Sequence, residues 1–350
     1  MPSSKLNGTA AAAQKLGSIS LGESAERKDN DTKPTAKNGT LNKMCSACDK
    51  GSDALKKCRN CKCVWYCDKE CQNKHWREHR KECKRIKKEL DKRGGKLDLG
   101  TEEDIGPLGK LSPKEECPIC MQALPPIPEL SAYATCCGKL ICCGCNMQHQ
   151  IRNGKGRTCA FCRTTPPVTD EGILAGLSKR VDLKDPQALL TMALHHGFGH
   201  FGLPVDQTKC IELLRESADL GFPPALHHFG IYHDAGDMGL EQSEEVAQKY
   251  YEEAAEGGHL ISRHNVGCTE GMNGNEVAAM CHWRLSASGG LKVSMECLIR
   301  YFEYGDLHHA DLAEIMPAYY RSRAEMRSKD RDQYIEHLKK TGGYHEEHDY

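Results

Sequence analysis

Residues 67–83 read CDKECQNKHWREHRKEC, and this stretch decides how the N-terminal part of the chain folds. Cys67 and Cys71 stand four apart, and so do His79 and Cys83, so each pair shares one face of a helix. Upstream lie Cys45-x2-Cys48 and Cys58-x2-Cys61. Zinc takes four nitrogen or sulfur ligands in a tetrahedron, and a close-spaced pair supplies two of them from one local element. Four pairs therefore predict two sites. So short a segment buries too little apolar surface to fold unaided. Zinc binding, on the order of 10–16 kcal/mol per site, would be its folding energy.

The spacing over 45–83, with Gln72 and Trp76 inside the last helix, resembles the MYND zinc finger. The cross-braced topology of that family implies that Cys45, Cys48, Cys67 and Cys71 hold one ion. Cys58, Cys61, His79 and Cys83 would hold the other. Cys63 and His75 are spare, and a solvated helix position suits His75. MYND fingers typically bind short proline-containing peptides, with a glutamine and a tryptophan of the second helix at the groove. Gln72 and Trp76 occupy those places, four apart on one face. Arg59 stands where some members carry a serine.

A second block begins at Cys117-x2-Cys120 and continues through Cys136-Cys137, Cys142-x2-Cys145 and Cys159-x2-Cys162. Four ligand pairs again imply two zinc ions. A single-ion site using only some of these cysteines is the other arrangement the spacing permits. The order and gaps over 117–163 resemble a RING finger, with Lys139 where that family has a histidine ligand. The resemblance implies an all-cysteine variant. Cys117, Cys120, Cys142 and Cys145 would hold one ion, and Cys136, Cys137, Cys159 and Cys162 the other, leaving Cys143 over. RING fingers often act as ubiquitin ligases by positioning a charged conjugating enzyme. Ile119, Phe161 and Arg163 match the family's contact positions, while Ala160 replaces a common proline.

Beyond Pro166-Pro167 the chain becomes alanine- and leucine-bearing, helical in period and punctuated by glycine. Three segments end alike, at Ala218…Gly221, Ala255…Gly258 and Ala287…Gly290. A second glycine set is Gly197, Gly236, Gly271 and Gly305. Both sets are expected as left-handed helix C-caps. Two helices per repeating unit predict a helical-hairpin solenoid. The segment resembles the Sel-one-like repeat family over roughly residues 185–325. The histidine pairs His195-His196, His227-His228 and His308-His309 read as packing or surface, because helix neighbours point about 100° apart.

The whole chain has 350 residues, 21 cysteines and a net charge of -1. Residues 1–40 are small, polar and aperiodic, the composition of a disordered tail. Residues 84–113 read as a basic helix and linker. Its cations are interleaved with Glu89 and Asp91, as in the preceding helix with Glu78 and Glu82, which argues against nucleic acid as a partner. No apolar run approaches the ~20 residues of a membrane helix. Cysteines in C-x2-C pairs without a signal peptide point to metal and an intracellular address. No phosphate loop, nucleophile elbow or H-E-x-x-H motif occurs. The expectation is a multidomain chain: two small zinc-stabilised domains, then an all-α helical-hairpin solenoid over 183–340. Its expected function is that of a protein-interaction adaptor. The alternative is a RING-type ubiquitin ligase whose solenoid recruits substrate.

Overall fold

The structure, a computed structural model, describes residues 45, 47, 48, 56–59, 65–92, 114–153 and 158–344. The tail 1–40, the 93–113 part of the linker, Cys61 and Cys63 lie outside the described residues.

In the first unit, β1 (Lys56–Lys57) pairs antiparallel with β2 (Trp65–Tyr66), and α1 (Lys69–Lys92) follows. Asp68 Oδ1 accepts from the Cys71 amide at 2.8 Å and so caps α1. The bond from that amide holds the Asp68 carboxyl below its usual range. Helix α1 passes Cys83 without a break, so the exposed Lys84, Lys87 and Lys88 belong to the helix that carries the ligands.

The second unit has β3 (Ser131–Ala134) paired antiparallel with β4 (Lys139–Cys142), then α2 (Cys143–Asn153). Its buried centre is Cys117, Ile141, Cys142, Cys145, Cys159 and Ala160, more sulfur than hydrocarbon.

Helix α3 (Asp170–Asp182) opens the helical part. Three hairpins follow: α4 (Pro186–Phe198) with α5 (Gln207–Asp219), α6 (Pro223–Ala235) with α7 (Glu244–Glu256), and α8 (Leu260–Met272) with α9 (Glu276–Ser288). Then come α10 (Lys292–Glu303), α11 (His309–Met326) and α12 (Lys329–Thr341). Side-chain caps start several of them: Asp185, Asp206, Ser243 and Ser328 each accept an amide of the first turn. Pro186 and Pro223 occupy the first helical position, where no amide partner is needed. One core joins Leu177, Leu189, Leu214 and Phe229; a second joins Trp283, Met295, Leu298 and Ile315 and runs on into the finger's Tyr66, Cys71 and Trp76.

The glycine expectation holds in part. Gly221, Gly258, Gly290, Gly236 and Gly305 all have positive φ. Gly197 and Gly271 do not, because both lie inside helices, and Gly199 and Gly274 take the left-handed turn instead. A different glycine pattern controls the packing. A Cβ on Gly230 would stand 2.4 Å from Tyr251 Cε1, and one on Gly267 would stand 2.8 Å from Trp283 Nε1. Each lets an aromatic ring of the second helix lie directly on the first helix's backbone. Among the described residues, no helix is long and apolar enough to cross a membrane.

Candidate metal centres

The structure gathers the cysteines of the two blocks into four clusters of ligand atoms, each with all members within 4.8 Å of one another. These are Cys45, Cys48, Cys67 and Cys71; Cys58, His79 and Cys83; Cys117, Cys120, Cys142 and Cys145; and Cys136, Cys137, Cys159 and Cys162. Cys61, expected with the second cluster, lies outside the described residues.

The sulfur spacing tests whether zinc fits. Zn–S bonds of about 2.3 Å in a tetrahedron put sulfurs about 3.8 Å apart. Cys48 Sγ lies 3.6 Å from Cys67 Sγ and 3.7 Å from Cys71 Sγ. Cys58 and Cys83 are 3.7 Å apart, Cys120 and Cys142 3.9 Å, Cys137 and Cys159 3.9 Å, and Cys136 and Cys162 3.3 Å. All are far beyond a disulfide bond of about 2.05 Å. Soft donors at this spacing suit zinc.

Local structure explains how each cluster forms. In α1, Cys71, His79 and Cys83 are spaced to face the strands and the first loop. His75, expected at a solvated position, is half-buried. Its Nδ1 lies 2.9 Å from the Tyr66 hydroxyl and its ring stacks on His79 at 5.6 Å, so it braces a member of the second cluster. In the second unit, backbone amides turn toward the sulfurs. Cys142 N donates to Cys117 Sγ at 3.4 Å, Cys145 N to Cys142 Sγ at 3.5 Å and Phe161 N to Cys159 Sγ at 3.4 Å. Such donors favour thiolate over thiol. The Cys117 thiol is drawn down to about 4, first by the hydrogen bond with Cys142, whose own thiol the same bond and then burial push up. Cys162 falls to about 6, first through the Thr164 hydroxyl 3.3 Å away.

Cys143 turns away from both tetrads. Its Sγ lies 3.5 Å from the Glu129 carbonyl, and burial pushes its thiol up to about 12. Lys139 is exposed at the start of β4. Ile119 and Phe161 are 41% and 43% exposed, and Arg163 is exposed with Nη1 2.7 Å from His149 Nδ1. In the finger, Gln72 Nε2 approaches Cys58 Sγ at 3.9 Å, and Trp76 is half-buried, its ring meeting His79 edge-on.

The histidine pairs turn inward more than outward. His195 is buried and lowered to about 4, first by burial. His227 and His228 are half-buried, and His227 Nδ1 lies 2.8 Å from Ser262 Oγ of the next unit. His308 caps α11 together with Asp311.

Two arginines near the tetrads have no spacing signal in the sequence. Arg331 of α12 is 1% exposed, and its Nη2 lies 3.5 Å from Cys120 Sγ. Arg180 of α3 donates from Nε to the Thr135 carbonyl at 2.9 Å and from Nη2 to the Cys136 carbonyl at 2.8 Å.

Comparison with known proteins fits these parts separately. The family model of the MYND finger matches residues 45–83, and that of the Sel1 repeat matches residues 186–222 and 223–259. The chain is similar to "Histone-lysine N-methyltransferase ASHR1" of Arabidopsis thaliana, 43% identical over 58 residues, 16% of this chain and 12% of that one. It is also similar to "Histone-lysine N-methyltransferase SMYD3" of Homo sapiens, 37% identical over 49 residues, 14% of this chain and 11% of that one. The chain thus spans about a tenth of the length of the curated relatives it matches. Among solved structures, a Sel1 repeat protein from Oxalobacter formigenes is 25% identical with a TM-score of 0.34, covering 36% of this chain and 97% of that one. The protective antigen c5321 of uropathogenic Escherichia coli, which has an SLR fold, is 21% identical with a TM-score of 0.37, covering 48% of this chain and 36% of that one. Residues 45–83 are a MYND finger, which implies zinc, and residues 186–259 are two Sel1 repeats within a largely helical solenoid.

Proposed function

We propose that this chain is a non-enzymatic adaptor that holds other proteins through a zinc-built finger and a helical solenoid. MYND fingers and Sel1 repeats both serve protein–protein interaction, which is the general basis of the reading. The observation that carries it is the completeness of the cysteine tetrads. Cys45, Cys48, Cys67 and Cys71 supply four sulfurs at zinc spacing, as do the two tetrads of the second unit. A catalytic zinc keeps an open position for water or substrate; a structural one does not. With Cys61 joining Cys58, His79 and Cys83, the chain would hold four zinc ions, one for each cluster. Gln72 and Trp76 of α1 would contact a proline-containing peptide beside the second cluster. The methyltransferases that share the finger do so over about a tenth of their length, so their activity is not carried over. Binding of a proline-rich peptide library to the full chain tests the reading. Trp76→Ala should weaken capture at least about tenfold, the scale of a buried aromatic anchor, with zinc content unchanged. Wild-type chain that captures no peptide, or one that methylates a protein substrate, would overturn it.

A second reading rests on one observation: Ile119 and Phe161 remain exposed although α3 and α12 cover other parts of the same unit. A conjugating enzyme bound at Ile119, Phe161 and Arg163 would make the chain a ubiquitin ligase. Autoubiquitination lost in Ile119→Ala would support that reading; no chain formation with any conjugating enzyme would end it.

A further inference from the structure

We propose that Arg331 and Arg180 are positioning residues for the two tetrads of the second unit. Zinc occupancy there and anchoring of the two ends of the solenoid would then be one linked equilibrium. The proposal rests on reading those tetrads as zinc sites.

Charge is the first argument. Four thiolates around one divalent zinc leave two negative charges formally uncompensated. The Cys117 tetrad is largely buried and the Cys136 tetrad partly so, and away from bulk water that charge needs donors and cations close by. Each tetrad has an arginine from the solenoid beside it, and the two come from opposite ends. Arg331 places Nη2 at 3.5 Å from Cys120 Sγ and 3.2 Å from the Gln122 carbonyl. Its Nη1 donates to the Ala123 carbonyl at 2.6 Å and also to the Met326 carbonyl. One guanidinium therefore ties a ligand loop to α12. Arg180 does the same for the other tetrad through the carbonyls of Thr135 and Cys136.

Shape is the second argument. Gly144 directly precedes the ligand Cys145, and a Cβ there would stand 2.6 Å from the Arg331 amide nitrogen. Gly138 directly follows the ligand Cys137, and a Cβ there would stand 2.8 Å from Asp185 Oδ2. Both junctions are close because the contacting residue has no side chain. Around them, Leu130 packs with Ile335 and Leu338 of α12, and Gln148 bonds Gln333 at 2.5 Å. At the other end the Tyr133 hydroxyl donates to Asp185 Oδ2 at 2.6 Å, while Asp185 Oδ1 caps α4. The unit is a clasp across the first and last helices of the solenoid.

Linkage makes the coupling reciprocal. If α12 binds the zinc-loaded unit better than the empty one, zinc binds the docked unit better by the same factor.

The test uses the full chain. Zinc transfer to a chromogenic chelator is timed for wild type, Arg331→Met, Arg331→Lys and the control Glu336→Ala, on the exposed face of the same helix. Arg331→Met should speed release of one ion roughly 10–100-fold, the range seen when partners of ligands are removed. Arg331→Lys should fall between, and Glu336→Ala should match wild type. If Arg331→Met does not fold, hydrogen exchange on the wild-type chain decides the matter without substitution. Stripping zinc should expose amides of α3 and α12 while α6 and α7 stay protected. Unchanged release in folded Arg331→Met, or unchanged protection of α12 after stripping, overturns the coupling. Zinc content is read separately. Should Cys145→Ala and Cys159→Ala together fail to lower it by two ions, the zinc reading of these tetrads fails instead.

Discussion

Replacing Gly267 and Gly271 by alanine, one at a time, should move stability in opposite directions, although both lie on α8 against the same tryptophan. An alanine in a helix is favoured over glycine by about 1 kcal/mol. At Gly271 the nearest atom to a new methyl is Trp283 Cη2 at 3.4 Å, an ordinary contact, so most of that gain survives. At Gly267 the methyl would meet Trp283 Nε1 at 2.8 Å, Trp283 Cδ1 at 2.9 Å and His282 Cβ at 3.1 Å. Carbon contacts are comfortable at about 3.5–4.0 Å, so the overlap is severe. Trp283 is 0% exposed and packed in the core, so a shift of its ring must displace core neighbours. Overpacking of this kind costs roughly 1–3 kcal/mol, which exceeds the helix gain. The variants should therefore differ by about 2 kcal/mol, with Gly271→Ala at or above wild type and Gly267→Ala below it. For a domain of this size that is roughly a 4–8 °C gap in the melting temperature of the helical part. Thermal unfolding followed by far-UV circular dichroism reads it. A Gly267→Ala protein that melts at or above Gly271→Ala would refute the close-approach reasoning.

Acid should weaken the solenoid. Burial lowers His195, His228, His264 and His282 to about 4 and His259 to about 3. The unfolded chain binds protons at these histidines from near pH 6.5 downward while the folded chain does not, so stability is full above that pH. It should fall steadily toward pH 4 by on the order of a few kcal/mol per fully neutral-buried histidine, visible as a falling melting temperature. A flat profile from pH 7 to 5 would contradict the burial of these rings. Cys143→Ala should leave zinc content unchanged, because that sulfur faces the Glu129 carbonyl, whereas Cys145→Ala should lose an ion; metal analysis of the purified variants compares them. Tyr133→Phe should destabilise the start of α4 by roughly 1 kcal/mol, because Asp185 loses a part-buried hydrogen-bond donor at 2.6 Å, as hydrogen exchange of 186–198 would report.

Local signals were legible wherever a function needs residues close together in the chain. Of the two i, i+4 pairs, His79 and Cys83 do share a face of α1, whereas Cys67 stands before the helix begins at Lys69 and reaches Cys71 from the loop. The adjacent Cys136 and Cys137 join Cys159 and Cys162 at the expected spacing. Repeating glycines announced the hairpins, and their commonest role, the left-handed turn, was readable at Gly221, Gly258 and Gly290. Gly197 and Gly271 were misplaced because a glycine near a helix end looks the same whether it ends the helix or lies within it. Gly230 and Gly267 carry the packing, and the only signal for them is their own recurrence opposite Tyr251 and Trp283 in successive units. The clasp was not legible at all. Arg331 and Cys120 are 211 residues apart, and nothing in either neighbourhood marks one as the other's partner. A single buried guanidinium has no period, whereas a tetrad of cysteines does.

We propose that four closed metal sites stabilise this chain, and native mass spectrometry of the intact chain counts the ions directly. The account predicts four zinc ions per chain, one for each of the four clusters. Three or fewer would contradict it.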